Sequence, residues 1–295
     1  MRRIMMPTDG SPMSEQAIPI AATIARVQHA EVQAVYVVAP PPWSGLEMQE
    51  YGMPSDAYAQ LSRFLDRRGK DRLDLITERI RETGIEASGV LLHGSPAEAL
   101  LSHEERTRPD LVVMSTHGHT GVLRFALGSV ADRLAREGNT PCLLVRSARD
   151  PQLALETALV PLDGSETSEV VLSIVADLAT RPLRRVHLLR VVQRAAAAQA
   201  AASYLEGMRS RFQEMGLEVE TLTEIGDPAL TIERHASCVD LAIMSTHGRG
   251  GVGRMRLGSV SAELVHHLTT PVLLVHARAP AGTASSVRGP VAVAV

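Results

Sequence analysis

The stretch DLVVMSTHG occupies residues 110–118, and a close copy, DLAIMSTHG, occupies residues 240–248. In both copies a continuous run of aliphatic residues leads into Ser-Thr-His-Gly. A run of this length without polar alternation is typical of a strand that is buried on both faces, as the strands of a parallel sheet are. The stretch therefore predicts a parallel sheet, and its recurrence predicts two of them.

Four further landmarks recur in the same order in the two halves of the chain. The paired segments are MPTDGS 6–11 and VPLDGS 160–165, HGSP 93–96 and IGDP 225–228, LGSV 127–130 and 257–260, and TPCLLV 140–145 and TPVLLV 270–275. Five ordered matches indicate an internal repeat. We predict domains at 1–147 and 155–277, joined by a linker at Ser147–Ala154 and followed by a flexible tail at 278–295.

Each half alternates short aliphatic runs with longer amphipathic ones. The predicted strands are 2–8, 31–38, 86–93, 110–116 and 141–146, then 156–162, 185–192, 217–225, 240–246 and 271–276. Between the strands of the first half, we expect a helix with Ser11 as its N-cap and Pro12 as its first residue, and helices at 56–82, 96–106 and 129–138. This alternation predicts an α/β fold: two tandem doubly wound domains, each a five-stranded parallel sheet of order 3-2-1-4-5 flanked by helices.

Composition excludes several classes of protein. The chain has 295 residues, 45% hydrophobic and 21% charged, which is a globular balance. Its net charge of −3 and its low aromatic content (Trp 1, Tyr 4, Phe 3) argue against nucleic acid as a partner. Neutralising phosphates needs an excess of positive charge, and stacking on bases needs several aromatic rings. No apolar stretch is long enough to cross a membrane, and the N-terminus lacks a signal-peptide core.

The chain contains two cysteines, Cys142 and Cys238, one in each half and neither in a C-x-x-C pair. We expect both to be small buried residues of a reduced, cytoplasmic protein. Its single lysine, Lys70, lies in a charged run typical of a solvated helix face, and there is no P-loop motif. Nucleotide binding by a lysine clamp is therefore excluded.

In an open parallel sheet, ligands bind beyond the carboxyl ends of the strands, where the strand order reverses. Thr8-Asp9-Gly10-Ser11 follows the first strand, and Ser115-Thr116-His117-Gly118 follows the fourth. With the predicted order, these two loops face each other. We therefore expect one ligand crevice in each half of the chain.

The loop after the fourth strand has the spacing of a phosphate cradle. Ser115 and Gly118 are followed after nine residues by Gly128-Ser129, and the second half repeats this arrangement from Ser245. Glycines let main-chain N–H groups approach an anion, and the Gly-Ser pair opens a helix whose amino end favours phosphate. Because a helix dipole contributes only about 0.3–1 kcal/mol at exposed sites, affinity requires several such donors together with burial of a base.

These motifs, in this order and duplicated, resemble those of the universal stress protein family over about residues 1–277. The family pattern is G-x-x-G, nine residues, then G-[ST], preceded by an Asp at the end of strand one. The resemblance implies a five-stranded parallel α/β domain that dimerises, and it implies ATP, with Mg²⁺ as a further option, as the ligand. It also implies a homodimer of the chain.

The resemblance further implies roles for individual residues. Asp9 and Asp163 would lie near the adenosine, the main chain at Val37 and Val191 would meet adenine, and Met114 and Met244 would line the base pocket. The phosphates would be held by Gly118, Gly128, Ser129, Gly248, Gly258 and Ser259. The other residues expected at the two sites are Pro7, Thr8, Ser115, Val130, Pro161, Leu162, Ser245, Arg249 and Val260.

The sequence departs from the family pattern at one position in each half. Ser115 and Ser245 stand where the family has its first glycine, so a hydroxymethyl group occupies a place where close approach matters. Tight ATP binding is therefore not assured in either half. Arg249, which has His119 as its counterpart, favours the second half slightly as the anion site.

Four histidines and a second glycine motif suggest other kinds of site, which the sequence does not favour. His117 and His247 are interpreted as structural imidazoles rather than general bases, because no nucleophile with an orienting partner accompanies them. His266 and His267 are adjacent on a helix and so do not form a metal site. The window Gly248–Gly253 matches G-x-G-x-x-G but follows the wrong strand for a dinucleotide enzyme.

The sequence leaves three functions open. The first is a stress-response or signalling protein, a pseudo-dimer of two domains that binds ATP and carries no catalytic residues. The second is a nucleotide-free interaction module that pairs with another copy through exposed edge strands at Cys142–Val145 and Val272–Val275. The third, ranked last, is a slow ATP-hydrolysing enzyme.

Overall fold

A computed structural model describes residues 1–40, 56–116, 127–146, 155–179, 182–247 and 257–276. The elements of the first half are β1 Arg3–Thr8, α1 Ala17–Gln28, β2 Glu31–Val38, α2 Ala57–Glu82, β3 Ala87–His93, α3 Pro96–Thr107, β4 Leu111–Ser115, α4 Ser129–Glu137 and β5 Cys142–Val145. The expected linker at 147–154 and the tail at 278–295 lie outside the described residues.

The second half repeats this alternation. Its elements are β6 Thr157–Pro161, α5 Glu166–Glu169, α6 Val171–Ala179, β7 Arg185–Val192, α7 Ala198–Gln213, β8 Glu218–Ile225, α8 Pro228–Ala236, β9 Leu241–Ser245, α9 Ser259–His267 and β10 Val272–Val275. All ten strands match the predicted segments to within one residue at each end. The α/β class is therefore confirmed.

The strands form one ten-stranded sheet in the order β3-β2-β1-β4-β5-β10-β9-β6-β7-β8. The predicted order 3-2-1-4-5 is confirmed in the first half, and the second half has the same order. All pairs within a half are parallel, whereas β5 and β10 pair antiparallel, with Leu143 opposite Leu273. The exposed edges expected at Cys142–Val145 and Val272–Val275 are wrong, because each fifth strand has the other as its neighbour.

Two apolar layers cover the two faces of the sheet. Adjacent residues on β1 point to opposite layers, with Met6 packed in the layer that contains α1 and α2 and Met5 in the layer that contains α3 and α4. Strands β4, β5, β9 and β10 are buried along their whole length. This two-sided burial explains why their sequences do not alternate between apolar and polar residues.

The first helix begins later than predicted. Ser11 accepts a hydrogen bond from the Ser14 N–H with its hydroxyl (3.1 Å), as an N-cap does, but the turn that follows is a 3₁₀ helix at Ser14–Gln16, and α1 starts at Ala17. The Ser14 hydroxyl donates back to the Ser11 carbonyl (2.8 Å), which tightens this turn. In the second half, Ser165 caps α5 directly through the Ser168 N–H.

The two cysteines lie in different environments. Cys142 is buried at the start of β5, as expected, but Cys238 is exposed in the short connection between α8 and β9. The expectation that both are buried is therefore wrong for Cys238. Among the helices that the structure describes, none is both long enough and apolar enough to cross a bilayer.

Candidate functional site

In both halves, strand one lies beside strand four, so their carboxyl ends lie at the same edge of the sheet. Ile4 of β1 pairs with Leu111 of β4, and Ala158 of β6 pairs with Leu241 of β9. This is the point where the strand order reverses, which is where ligands bind in open α/β sheets. The loops that the sequence singled out therefore begin from adjacent strands.

The first strand-one turn, at Asp9-Gly10-Ser11, is held by its own polar groups. Asp9 Oδ1 accepts from the Ser11 N–H (2.9 Å), and Thr8 Oγ1 accepts from the Gly10 N–H (3.1 Å). Thr8 Oγ1 also lies 2.9 Å from the Ser14 hydroxyl. Gly10 has φ +71°, a conformation that glycine adopts without strain.

The second turn, at Asp163-Gly164-Ser165, has the same shape and a different set of contacts. Asp163 Oδ1 accepts from both the N–H (2.9 Å) and the hydroxyl (2.5 Å) of Ser165. Gly164 has φ +79°. Leu162 replaces Thr8 and is buried, so the hydroxyl that holds the first turn has no counterpart here.

The helix after strand four returns over the end of that strand in both halves. The Gly128 N–H donates to the Thr116 carbonyl (2.8 Å), and the Gly258 N–H donates to the Thr246 carbonyl (2.7 Å). A Cβ on Gly128 would lie 3.0 Å from the Thr116 oxygen, which explains the glycine. Helices α4 and α9 begin at the next residue.

The amino ends of α4 and α9 offer main-chain donors. The N-cap residues Gly128 and Gly258 have no side chain that could accept a hydrogen bond from the first turn. Ser129 and Ser259 are exposed, and Val130 and Val260 are half-buried. Amides at the start of a helix attract anions, so both ends are suited to a phosphate.

The structure shows how serine is accommodated where the family pattern has glycine. The Ser245 hydroxyl donates to the His247 carbonyl (2.7 Å) and accepts from the His247 N–H (3.2 Å). It is therefore engaged with its own loop. Ser115 and Ser245 are both buried, and each is the last residue of its strand.

His247 does not bond to the backbone through its ring, as a structural imidazole was expected to do. Its Nδ1 lies 3.0 Å from the Thr246 hydroxyl, and its buried Nε2 has no hydrogen-bond partner among the residues that the structure describes. His117, Gly118, Gly248 and Arg249 lie outside the described residues. The preference for the second half, which depended on Arg249, therefore stays a prediction.

The other expected site residues divide between crevice and core. Val37 and Val191 are half-buried near the carboxyl ends of β2 and β7. Met114 and Met244 are only 6% and 3% exposed and pack in the apolar layer beneath the crevice. Pro7 is the residue before the end of β1 and is buried. Pro161 is the last residue of β6 and is half-buried.

Two arginines that no sequence pattern singled out lie against the strand-one turns. Arg72 of α2 donates to the Asp9 carbonyl (3.4 Å), and Arg190 of β7 lies against Gly164. Arg190 also stacks on Tyr204 of α7, with 4.6 Å from the guanidinium carbon to the ring centroid. Burial and the neighbouring Glu169 raise the pKa of Tyr204, so its hydroxyl stays protonated. No local pattern in the sequence marks these arginines, because each is far along the chain from the turn that it contacts.

Comparison with known proteins follows the same division of the chain. The sequence profile described as the universal stress protein family matches residues 1–146 and 155–276. A universal stress protein of Methanocaldococcus jannaschii is 34% identical over 148 residues, which are 50% of this chain and 84% of that protein. One from Mycolicibacterium smegmatis is 26% identical over 300 residues, 93% of this chain and 97% of that protein.

A solved structure of similar length shows the same fold. A universal stress protein from Archaeoglobus fulgidus covers 94% of this chain and 98% of its own, with a TM-score of 0.75 and 19% identity. A universal stress protein in complex with cAMP matches 42% of this chain and 98% of its own, with a TM-score of 0.35 and 25% identity. The chain belongs to the universal stress protein family and contains two copies of the family's domain in tandem.

Proposed function

We propose that this family member binds ATP in one or both of its crevices and acts in stress response or signalling as a binding protein. The observation that carries the proposal is the return of the Gly128 and Gly258 amides onto the end of strand four, at 2.8 and 2.7 Å. This contact brings the amino end of a helix to the end of strand four, which is the neighbour of strand one. Phosphate would bind at the helix, and the nucleoside at the turn.

The crevice also supplies the groups that a nucleoside needs. The carboxylates of Asp9 and Asp163 lie at turns that hydrogen bonds of 2.9 Å hold in place. They are therefore preorganised to accept hydrogen bonds from the hydroxyl groups of ribose or the amino group of the base. Val37 and Val191 offer apolar surface and main-chain groups at the next strand. Mg²⁺ would accompany ATP on its phosphates.

Titration calorimetry of the whole chain with Mg-ATP tests the proposal. We expect saturable binding with one or two sites per chain and weaker binding of Mg-GTP, because the base contacts are to adenine. No heat with millimolar nucleotide and tens of micromolar protein would contradict the proposal. Native mass spectrometry of freshly isolated protein should retain an adenylate mass, whereas bare protein would favour a nucleotide-free interaction module.

Half-specific variants assign the sites. Asp9→Asn and Asp163→Asn keep the oxygen that accepts from the serine N–H and remove the charge, so the turn persists while affinity in that half falls by about 10-fold. Asp74→Asn is the control, because Asp74 is exposed on α2. If neither site variant differs from this control, the nucleotide does not contact these carboxylates.

Turnover is a separate question with a separate measurement. We expect no ATP hydrolysis beyond the rate of a heat-treated sample, because the proposal assigns no general base. Steady release of phosphate that disappears in Asp9→Asn or Asp163→Asn would instead establish a slow hydrolase.

A further inference from the structure

The two halves carry the same pair of side chains with their positions exchanged. On the sheet, Tyr36 of β2 lies opposite Thr8 of β1. In the second half, Pro161 lies opposite Leu189, so Arg190 takes the corresponding place one residue further on. A tyrosine in one half thus occupies the strand position that an arginine occupies in the other.

The helices show the reverse exchange. Gly84 and Gly216 follow α2 and α7 with φ +80° and +83° and mark the same point in each half. Arg72 precedes the first glycine by the same number of residues as Tyr204 precedes the second. The pair is therefore Tyr on the strand and Arg on the helix in the first half, and Arg on the strand and Tyr on the helix in the second.

Both arrangements bring an arginine against the strand-one turn. A Cβ on Gly10 would lie 3.0 Å from Arg72 Cδ, and Arg72 Nη1 is 3.4 Å from the Asp9 carbonyl oxygen. A Cβ on Gly164 would lie 2.7 Å from Arg190 Nη1. The arginine reaches the turn from the helix in one half and from the strand in the other, and the contact with the turn is what the halves share.

The second arrangement is fixed by further contacts. Tyr204 lies under the Arg190 guanidinium, and its hydroxyl donates to Glu169 Oε1 (3.0 Å). Arg211 of α7 binds the other oxygen of Glu169 (3.0 Å). A ring over which a guanidinium stacks restricts the arginine to few rotamers, so Arg190 stays at the turn.

We propose that Arg72 and Arg190 are positioning residues for the two crevices, each holding the Asp-Gly turn in the geometry that receives the ligand. This inference rests on the proposed function in one respect, that the turn meets a nucleotide. The aromatic partner, Tyr204 in the second half, orients the arginine. The exchange of the pair predicts that either arrangement is sufficient.

A swap of the pair tests the inference in the second half, with Asp9→Ala in the background to weaken binding in the first crevice. Arg190→Tyr should lower the affinity for Mg-ATP about 10-fold, because the turn loses its charged contact. Adding Tyr204→Arg recreates the arrangement of Tyr36 and Arg72 and should restore most of that affinity. Arg209→Met is the control, since Arg209 lies on the same helix as Tyr204 but pairs with Glu206 (3.5 Å) rather than with Glu169.

A second readout does not depend on nucleotide. Amide hydrogen exchange at residues 163–165 of the free chain should be faster in Arg190→Tyr, return toward wild type in the double variant, and stay unchanged in Arg209→Met. Unchanged exchange and unchanged affinity in Arg190→Tyr would overturn the inference, as would a double variant that behaves like the single one. If wild type binds no nucleotide, the proposed function fails, and the exchange rates alone decide the role of the arginine.

Discussion

Gly164 satisfies two separate requirements at one residue. Its φ of +79° is costly for a residue with a Cβ, and a Cβ there would also meet the Arg190 guanidinium at 2.7 Å. Gly216 has nearly the same conformation, φ +83°, but no atom of the described part of the chain lies within 4 Å of its Cβ position. The two glycines therefore separate the cost of the backbone from the cost of the contact.

We predict that Gly164→Ala destabilises the chain more than Gly216→Ala does. Gly216→Ala, the control, should lower the free energy of unfolding by about 1–2 kcal/mol because alanine is strained in the left-handed conformation. Gly164→Ala should lower it by at least about 1 kcal/mol more, because Arg190 must also move. Urea unfolding of the two variants measures both values. Equal losses would mean that Arg190 yields without cost.

The two cysteines should differ in reactivity. Burial, with a smaller contribution from Glu104, raises the pKa of the Cys142 thiol, whereas Cys238 is exposed. We expect iodoacetamide to label Cys238 alone in the folded chain and both cysteines in urea, as peptide mass mapping would show. Rapid labelling of Cys142 under native conditions would contradict its position in β5.

At the scale of elements, the helices that follow strand three differ in their caps. Asp227 caps α8 by accepting from the Leu230 N–H (3.0 Å), whereas Ser95, the N-cap of α3, makes no such bond with its side chain. Both helices have proline next. At this N-cap position, the side chain therefore makes a capping hydrogen bond in the second half and not in the first.

This difference predicts unequal effects of alanine. Asp227→Ala should lower the free energy of unfolding by about 1 kcal/mol, because an N-cap bond is lost. Ser95→Ala should change it by less than about 0.5 kcal/mol. Thermal and urea unfolding of both variants would measure the difference, and equal losses would show that the cap contributes nothing to α8.

At the scale of the whole molecule, the junction of β5 and β10 joins the two halves. On one side of it, Arg146 Nη2 donates to the His266 carbonyl (2.5 Å) at the end of α9. On the other side, His276 Nε2 lies 3.0 Å from the Ala135 carbonyl of α4. The residue after each fifth strand thus binds the last helix of the other half, which satisfies carbonyls at a helix carboxyl end.

The junction should make stability depend on pH. Burial lowers the pKa of His276 below its usual value near 6.5, although Glu104, the Ala135 carbonyl and the Thr140 main chain oppose this shift, and His247 adds to it. The unfolded chain therefore binds more protons below about pH 6.5, so the stabilisation present above that pH is lost as pH falls through the lowered pKa.

We expect the urea midpoint to be lower at pH 5 than at pH 7.5. His276→Gln should reduce this difference, because the group that titrates at the junction is gone. His103 is the comparison, since burial and the charges of Arg106 and Arg3 lower its pKa as well. His103→Gln should remove only the part of the pH dependence of the urea midpoint that His103 contributes. If the urea midpoint of His276→Gln changes with pH as much as that of the wild type, groups other than His276 cause the pH dependence.

Local patterns in the sequence were sufficient to predict each strand and each turn. The aliphatic run at 110–116 indicates a buried strand because burial on both faces requires apolar residues throughout, and Asp9-Gly10-Ser11 indicates a turn because glycine tolerates a positive φ. The repeat predicted that strands one and four lie side by side in each half, and their pairing is confirmed. The start of α1 was missed because Ser14 bonds to Ser11 and favours a 3₁₀ turn.

The amino-acid sequence by itself determined that this protein has two copies of one α/β domain and which segments form its strands, because strand periodicity, turn residues and an internal repeat are properties of neighbouring residues. Only the tertiary structure decided that β5 pairs with β10 and that Arg72 and Arg190 reach equivalent turns from different elements. These contacts join residues far apart in the chain, and they depend on sheet register and helix packing, which no local pattern specifies.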